Sequence, residues 1–328
     1  MTWESSTHWS ALANRARARR KFEISAIFSF LVVVSVPLVI PYVGLIVMAF
    51  ASRDPQVLWR AIAVLAPWSV ALGIALVWCQ TRRTKIAGCL ILTLIAALAL
   101  TALIGSDLHL QNFRFLIEPP RPSLPSFWSA FANSAILALA QTAIVTTVAG
   151  MAGYYLSRFS FPARGGMLGA LLVVHAFPVM TLIIPLFLMI YWMGLLNSLI
   201  GVIFVLVALE LPFAIFIMKG FFDAVPWEIE MSAIVDGATR RQAFVRIVLP
   251  QVTNGLIAVS IFAFIRGWEE YIFVSTFLLT QSKWVLSLYL FFENNSAAVA
   301  LVYLMPPLLL FLVTQKYLMS ISIGTAQQ

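Results

Sequence analysis

EIEMSAIVDGATRRQAFVRIVLP, residues 228–250, is a long charged segment between two apolar runs. Its punctuation is helical. Pro226 suits a first helical turn, and Glu228 and Glu230 stand where negative charge favours the N-terminal end of a helix dipole. Asp236-Gly237 is a stop-and-turn signal. Thr239-Arg240-Arg241-Gln242 fits a capping box, with a Thr hydroxyl at the N-cap and a Gln three residues on. A second helix follows, and Pro250 limits its length. The segment reads as helix, glycine turn, helix. Ser232 and Ala233 give the first helix small side chains, which let another surface approach closely. On physics alone two readings stand: an amphipathic hairpin resting on lipid headgroups, or a docking site for a partner.

Away from this segment the chain is apolar. Hydrophobic residues make up 62% of its 328 positions and charged residues only 10%, and its mean hydropathy is +0.96. Soluble domains carry roughly 25% charge, so a soluble fold would have too little polar surface. The long apolar runs predict an all-α polytopic membrane protein. The net charge of +8 does not indicate nucleic acid, because the basic residues fall in short loops between the runs. Cys79 and Cys89 flank one such loop and imply neither a disulfide nor a metal framework. The basic run at 15–21 precedes an apolar stretch too long for a signal peptide, and 24–50 reads as an uncleaved first helix.

Eight spans are predicted: 24–50, 57–78, 86–105, 127–156, 167–193, 200–218, 256–279 and 299–319. With the N-terminus inside, 14 basic residues fall on the cytoplasmic side (Arg15, Arg17, Arg19, Arg20, Lys21, Arg82, Arg83, Lys85, Arg158, Arg164, Lys219, Arg240, Arg241, Arg246). Five fall outside (Arg53, Arg60, Arg114, Arg121, Lys283), which predicts both termini in the cytoplasm. The expected organisation is a basic cytoplasmic N-terminus at 1–23, then a first helix, extra hairpin and outer loop over 24–126. A transmembrane core follows at 127–319, carrying the cytoplasmic loop 219–255, and a cytoplasmic tail at 320–328. The proline-rich EPPRPSLP at 118–125 makes the outer loop irregular.

The charged segment resembles the EAA loop of ABC-importer permeases, whose pattern is E-A-A, three residues, Gly, about nine residues, then Ile-x-Leu-Pro. Met231-Ser232-Ala233 stands at E-A-A, with Met231 and Ser232 departing from the pattern. Gly237 stands at the glycine and Ile247-Val248-Leu249-Pro250 at the ending. Glu228, Glu230, Asp236 and Ala238 resemble the sugar-importer version. FANSAILALAQT (131–142), AGYYLSRFSFPAR (152–164), IPLFLMIYWMGLLNS (184–198) and LPFAIFIMKGFF (211–222) extend the resemblance to the maltose-type carbohydrate permeases over most of 127–319. The usual member has six spans, so the hairpin 57–105 looks like an addition.

The resemblance implies a type I permease subunit in a bacterial or archaeal inner membrane. The loop would be the coupling helix that docks on a separate ATPase subunit. Its partners would be a sister permease, two copies of the ATP-binding subunit, an extracytoplasmic solute-binding protein and a small sugar-like solute. The chain itself would bind no cofactor; ATP and Mg would belong to the ATPase.

Ionisable groups at membrane depth are costly and usually face a cavity or a partner. Glu210 precedes Leu211-Pro212, where proline can open the helix backbone. Arg266 lies three and four residues before Glu269 and Glu270, so both carboxylates can share its helix face. His175 precedes Pro178, and Asn133 lies near the outer end of its span. These groups, with Trp268 and Tyr271 as sugar-stacking aromatics, are the candidate translocation cavity. Internal ion pairing is the competing account of Arg266 and Glu270, and a satisfied core histidine that of His175. In the resemblance, Trp268-Glu269-Glu270-Tyr271 falls on a W-N-E-[FY] motif with Glu269 in place of asparagine.

There is no G-x-x-x-x-G-K-[ST] loop and no H-E-x-x-H. The histidines, His8, His109 and His175, are far apart in sequence. A proton- or ion-coupled secondary transporter would account for the intramembrane carboxylates but not for the hairpin. A membrane enzyme lacks any spaced nucleophile and base.

Overall fold

A computed structural model of the chain describes residues 109–119, 121–122, 124–292 and 296–324, with scattered stretches of 41–102. At 296 and 316–324 only the backbone is described. Among these residues every regular element is helical. The chain packs as two units, residues 1–113 with 295–301, and 114–294 with 302–328.

In the first unit, 44–50 is helical, and so are the described parts of 56–71 and 88–102, as the runs 57–78 and 86–105 predict. The His109 N–H donates to the Phe50 carbonyl at 2.5 Å, and Asn112 Nδ2 donates to the Ala49 carbonyl at 3.1 Å. The Phe50 and Phe113 rings lie 5.0 Å apart. The basic N-terminus, span residues 24–40, the TRRTK loop and tail residues 325–328 lie outside the described residues.

The second unit begins its core with α1 (Phe127–Arg158), opened by Ser126, whose side chain accepts the Ser129 N–H. Then come α2 (Arg164–Ala176), a 3-10 turn (Val179–Leu182), α3 (Ile183–Trp192) and α4 (Leu199–Asp223). The loop contributes α5 (Trp227–Val235) and α6 (Arg240–Gln251). Then follow α7 (Thr253–Trp268), α8 (Ile272–Phe277), α9 (Leu286–Phe292) and α10 (Ser296–Gly324). Among the described residues three helices, within 127–158, 199–223 and 297–315, are long and apolar enough to cross a membrane, or up to five spans if each bent pair counts as one.

Two predicted spans are not single helices. The run 167–193 divides into α2 and 179–192, meeting at 90°. Pro178 disfavours the helical region for the residue before it, and Phe177 is extended at φ −66°, ψ 135°. The run 256–279 ends as a helix at Trp268, and α7 instead continues backward to α6 through a 73° bend. By contrast α4 runs through Pro212 without interruption. Proline there removes one N–H but sits buried in the packed part of α4, so the expected opening of the backbone at Glu210 does not occur.

The core is α1 laid against α4 and α7. Val145, Ala149, Met218, Phe222, Val248, Val252 and Val259 fill one end of it, and Leu137, Ile190, Val202, Phe273 and Phe277 the other. Close approach of α1 and α4 depends on Gly153. A methyl group there would stand 2.7 Å from Met218 Cβ and 2.9 Å from the Lys219 backbone nitrogen. Outside this core the surface is apolar: α2 buries none of its residues, and Trp192 and Ile184 are exposed.

Candidate functional site

The hairpin forms as its punctuation predicts. Pro226 is the N-cap rather than the first turn of α5. At the other end the Gly237 N–H bonds to the Ile234 carbonyl at 3.1 Å and the Ala238 N–H to the Ala233 carbonyl at 3.0 Å. This is the Schellman closure, which needs a left-handed residue, and Gly237 supplies it at φ +93°. The Thr239–Gln242 capping box then opens α6, with both reciprocal bonds formed. The helix ends one residue past Pro250, at Gln251. A π turn over Phe244–Val248 lets the Leu249 N–H reach back to the Phe244 carbonyl, and the helix continues to Gln251 before bending.

The residues expected to face an ATPase divide. Glu228, Ser232, Asp236 and Gly237 are exposed, and Met231, Ala238, Ile247 and Leu249 are half-buried, with Pro250 exposed beyond them. Ala233 is buried against the core. Glu230 does not face outward: its side chain is 3% exposed and pairs with Arg158, itself 5% exposed, at 2.9 Å. Tyr154 donates its hydroxyl to the other carboxylate oxygen at 2.5 Å. Arg158 Nη2 also donates to the Val225 carbonyl at 2.9 Å, and its guanidinium lies 5.5 Å from the Trp227 ring centre. In the sequence Arg158 is a cytoplasmic marker, and both it and Tyr154 fall in the AGYYLSRFSFPAR stretch without a role of their own. Their four-residue spacing put them on one helix face, but nothing local named Glu230 as their partner. The exposed apolar residues of α5 are Trp227, Ile229 and Val235, of which Val235, at 85%, is the most exposed.

The second site is a cavity of about 280 Å³ where α2 breaks beside α4 and α7. His175, Phe177, Glu210, Phe213, Phe262 and Arg266 line it. His175 stacks on Phe213 with ring centres 4.8 Å apart. Arg266 Nε stands 3.9 Å from Glu210 Oε2, with the carboxylate side chain 12% and the guanidinium 63% exposed. That distance makes an ion pair but no hydrogen bond, so both groups keep bonding capacity for something else in the cavity.

The other predicted cavity residues are elsewhere. Glu269 and Glu270 do not continue a helix face with Arg266, because α7 ends at Trp268. Glu269 is exposed. Glu270 accepts the Phe273 N–H at 2.8 Å and so tethers the start of α8. Tyr271 stacks on Phe291 at 4.4 Å. Trp268 is buried, donates to the Tyr303 carbonyl at 3.0 Å and accepts the Tyr303 hydroxyl on its own carbonyl. Phe264 and Tyr303 stack on it and Phe131 meets it edge-on, so its faces are taken. Asn133 donates to the carbonyls of Ser282 at 3.3 Å and Trp284 at 3.0 Å, pinning the loop before α9.

Residues 146–319, most of the core and the whole hairpin, match the family of inner membrane components of binding-protein-dependent transport systems. The chain belongs to that family. It is a permease subunit of an ABC importer, not an enzyme, and ATP hydrolysis resides in a separate subunit. The secondary-transporter alternative falls with this membership. The diacetylchitobiose uptake system permease protein NgcG of Streptomyces coelicolor is 30% identical over 240 residues, 73% of this chain and 75% of that one. The trehalose transport system permease protein SugB of Mycobacterium tuberculosis is 33% identical over 180 residues, 55% of this chain and 64% of that one. A chain in the crystal structure of a bacterial ABC transporter that imports the acidic polysaccharide alginate shares the fold. Its TM-score is 0.54 at 19% identity, over 73% of this permease and 99% of that chain.

Proposed function

We propose that this permease moves a sugar or related polyol inward, with its 219–255 loop serving as the EAA-type coupling element that meets the ATPase. The observation that carries the coupling assignment is the built hairpin. A glycine-closed, capped helix pair exposes Glu228, Ser232 and Val235 on the side of α5 away from Glu230, which anchors it inward. A hairpin merely resting on headgroups has no need of a buried ion pair. The sugar class rests on relatives named for diacetylchitobiose and trehalose.

In this reading the chain sits in a bacterial or archaeal inner membrane with eight spans and both termini in the cytoplasm, organised as 1–23, 24–126, 127–319 and 320–328. It pairs with a sister permease on two ATPase copies, which use ATP and Mg, and receives solute from an extracytoplasmic binding protein. The exposed apolar α2 supports a sister subunit or lipid against that face. Glu210, Arg266 and His175 are the solute-facing groups of the cavity, where carboxylate and guanidinium can exchange their loose pairing for sugar hydroxyls.

Purification of the chain from its native membranes in mild detergent tests this. Recovery with a second multi-span permease and an ATPase carrying a phosphate-binding loop is expected, and its binding protein can then be screened against sugars. A chain recovered alone that drives uptake into liposomes without ATP would overturn the reading.

A further inference from the structure

The Arg158–Glu230 pair is an expensive way to hold a surface hairpin. Two buried charges are stable together only while their geometry is kept, and a shift of one leaves the other unpaired in a low-dielectric site. Here the geometry is closely specified. Both carboxylate oxygens of Glu230 are taken, one by Arg158 at 2.9 Å and one by Tyr154 at 2.5 Å. The two donors come from consecutive turns of α1, so α5 can neither slide along α1 nor roll on it without losing a bond. Arg158 holds the start of α5 a second time through the Val225 carbonyl.

The body to which α5 is fastened is itself tight. Gly153, one residue before Tyr154, lets α1 and α4 backbones touch. Ser157 donates to Asp223 at 2.7 Å, joining the ends of the same two helices. Only Ala224, Val225 and Pro226 separate α4 from α5. The other arm of the hairpin is held differently. Phe244 packs its ring on Tyr154 at 4.4 Å, and Val248 and Val252 fill core space. Such contacts tolerate sliding. This arm also contains the π turn and, at Val252 (φ −97°, ψ 14°), the bend.

We propose that Glu230 is a positioning residue: with Arg158 and Tyr154 it locks α5 to α1 and α4 as one body. Displacement of the hairpin by the ATPase is then absorbed between Phe244 and Val252. This rests on the reading that the hairpin meets the ATPase. A spin-label pair at Met151→Cys on α1 and Val235→Cys on α5, both exposed positions, reports the clamp in the whole complex in nanodiscs. Distances are taken without nucleotide and with ATP plus vanadate.

The expected result is one distance in both states for the parent, and a state-dependent shift of about 2 Å or more in Glu230→Gln. Glu230→Gln keeps the shape but removes the charge. Tyr154→Phe removes one hydrogen bond, should shift less, and serves alone if the first variant does not assemble. A role in folding alone would change both states equally and leave no shift between them, which overturns the proposal. A parent distance that changes with nucleotide also overturns it. Cross-linking of unlabelled Val235→Cys to the ATPase separates the two levels. A cross-link with no state-dependent shift in either variant defeats the clamp alone. No cross-link defeats the coupling reading and the clamp with it.

Discussion

Replacing Gly153 by alanine tests the α1–α4 contact beside the residues that hold the hairpin. The added methyl would lie 2.7 Å from Met218 Cβ, 2.9 Å from Lys219 N and 3.0 Å from Met218 C. Carbon atoms rest at about 3.5–4.0 Å, and two of the three obstacles are backbone, so the helices must part by roughly 1 Å. Overpacking of this kind costs about 1–3 kcal/mol, while exchanging glycine for alanine within a helix returns about 1 kcal/mol. Gly150, on the same helix, is the control. Its methyl would meet only Leu256 Cδ2 at 3.5 Å, an ordinary contact with a flexible side chain. The propensity gain is common to both variants and cancels in their difference. Gly153→Ala should therefore be less stable than Gly150→Ala by about 2 kcal/mol, roughly 30-fold in the unfolding equilibrium. Reversible unfolding in mixed detergent micelles, followed by tryptophan fluorescence, measures the difference. Equal stability of the two variants would refute the close approach. It would also remove the argument that α1 and α4 form a rigid anchor for the hairpin.

Gly237→Asp places a side chain at φ +93°, a strain of about 1–2 kcal/mol, and a charge at the hairpin tip; ATP-driven uptake should fall while the chain still inserts, as membrane fractionation checks. Trp268→Phe removes the donor to the Tyr303 carbonyl. It should lower stability by about 1 kcal/mol in the same unfolding assay without altering the solute concentration that half-saturates uptake. Asn133→Ala releases the carbonyls of Ser282 and Trp284; it should cost about 1–2 kcal/mol and likewise leave solute dependence unchanged. Arg266→Gln removes the mostly exposed partner of Glu210. Uptake should fall by more than thermal stability does, and an equal loss of both would assign the pair to packing.

Local signals were legible and long-range ones were not. The Asp236-Gly237 stop, the Thr239 capping box and the apolar lengths of α1, α4 and α10 depend on neighbours within a few residues, and each is where its spacing puts it. Proline shows the limit. Pro178 ends a helix and Pro212 does not, although both lie inside apolar runs. The difference is tertiary: α2 buries nothing that would hold it in line, whereas α4 is fixed by Val205, Ala214 and Met218 in the core. The charged pairs fail in the same way. Helix spacing lets Arg266 share a face with Glu269 and Glu270, but the helix ends at Trp268 and Arg266 turns to Glu210 on another helix. Glu230 looked like an outward charge because its partners lie 72 and 76 positions earlier.

Pro250 sharpens what the charged segment is for. Its ring would clash with the carbonyl four residues back, and it has no N–H to continue the ladder. An ordinary α-helix would stop or kink there. Instead the strain is met upstream, by the wider turn from Phe244 to Val248, and the direction changes downstream at Val252. A π turn and a bend four residues apart are costly in a segment whose only task is to lie on a membrane. They are useful in one that must transmit a push from α5 while remaining attached to α7. In the proposed coupling, Ile247, Leu249 and Pro250 belong to the articulation, and the exposed surface of α5 belongs to the contact. On that proposal the motif at 228–250 contains two mechanical parts, with Glu230 fixing the first to the transmembrane helices and Pro250 shaping the second.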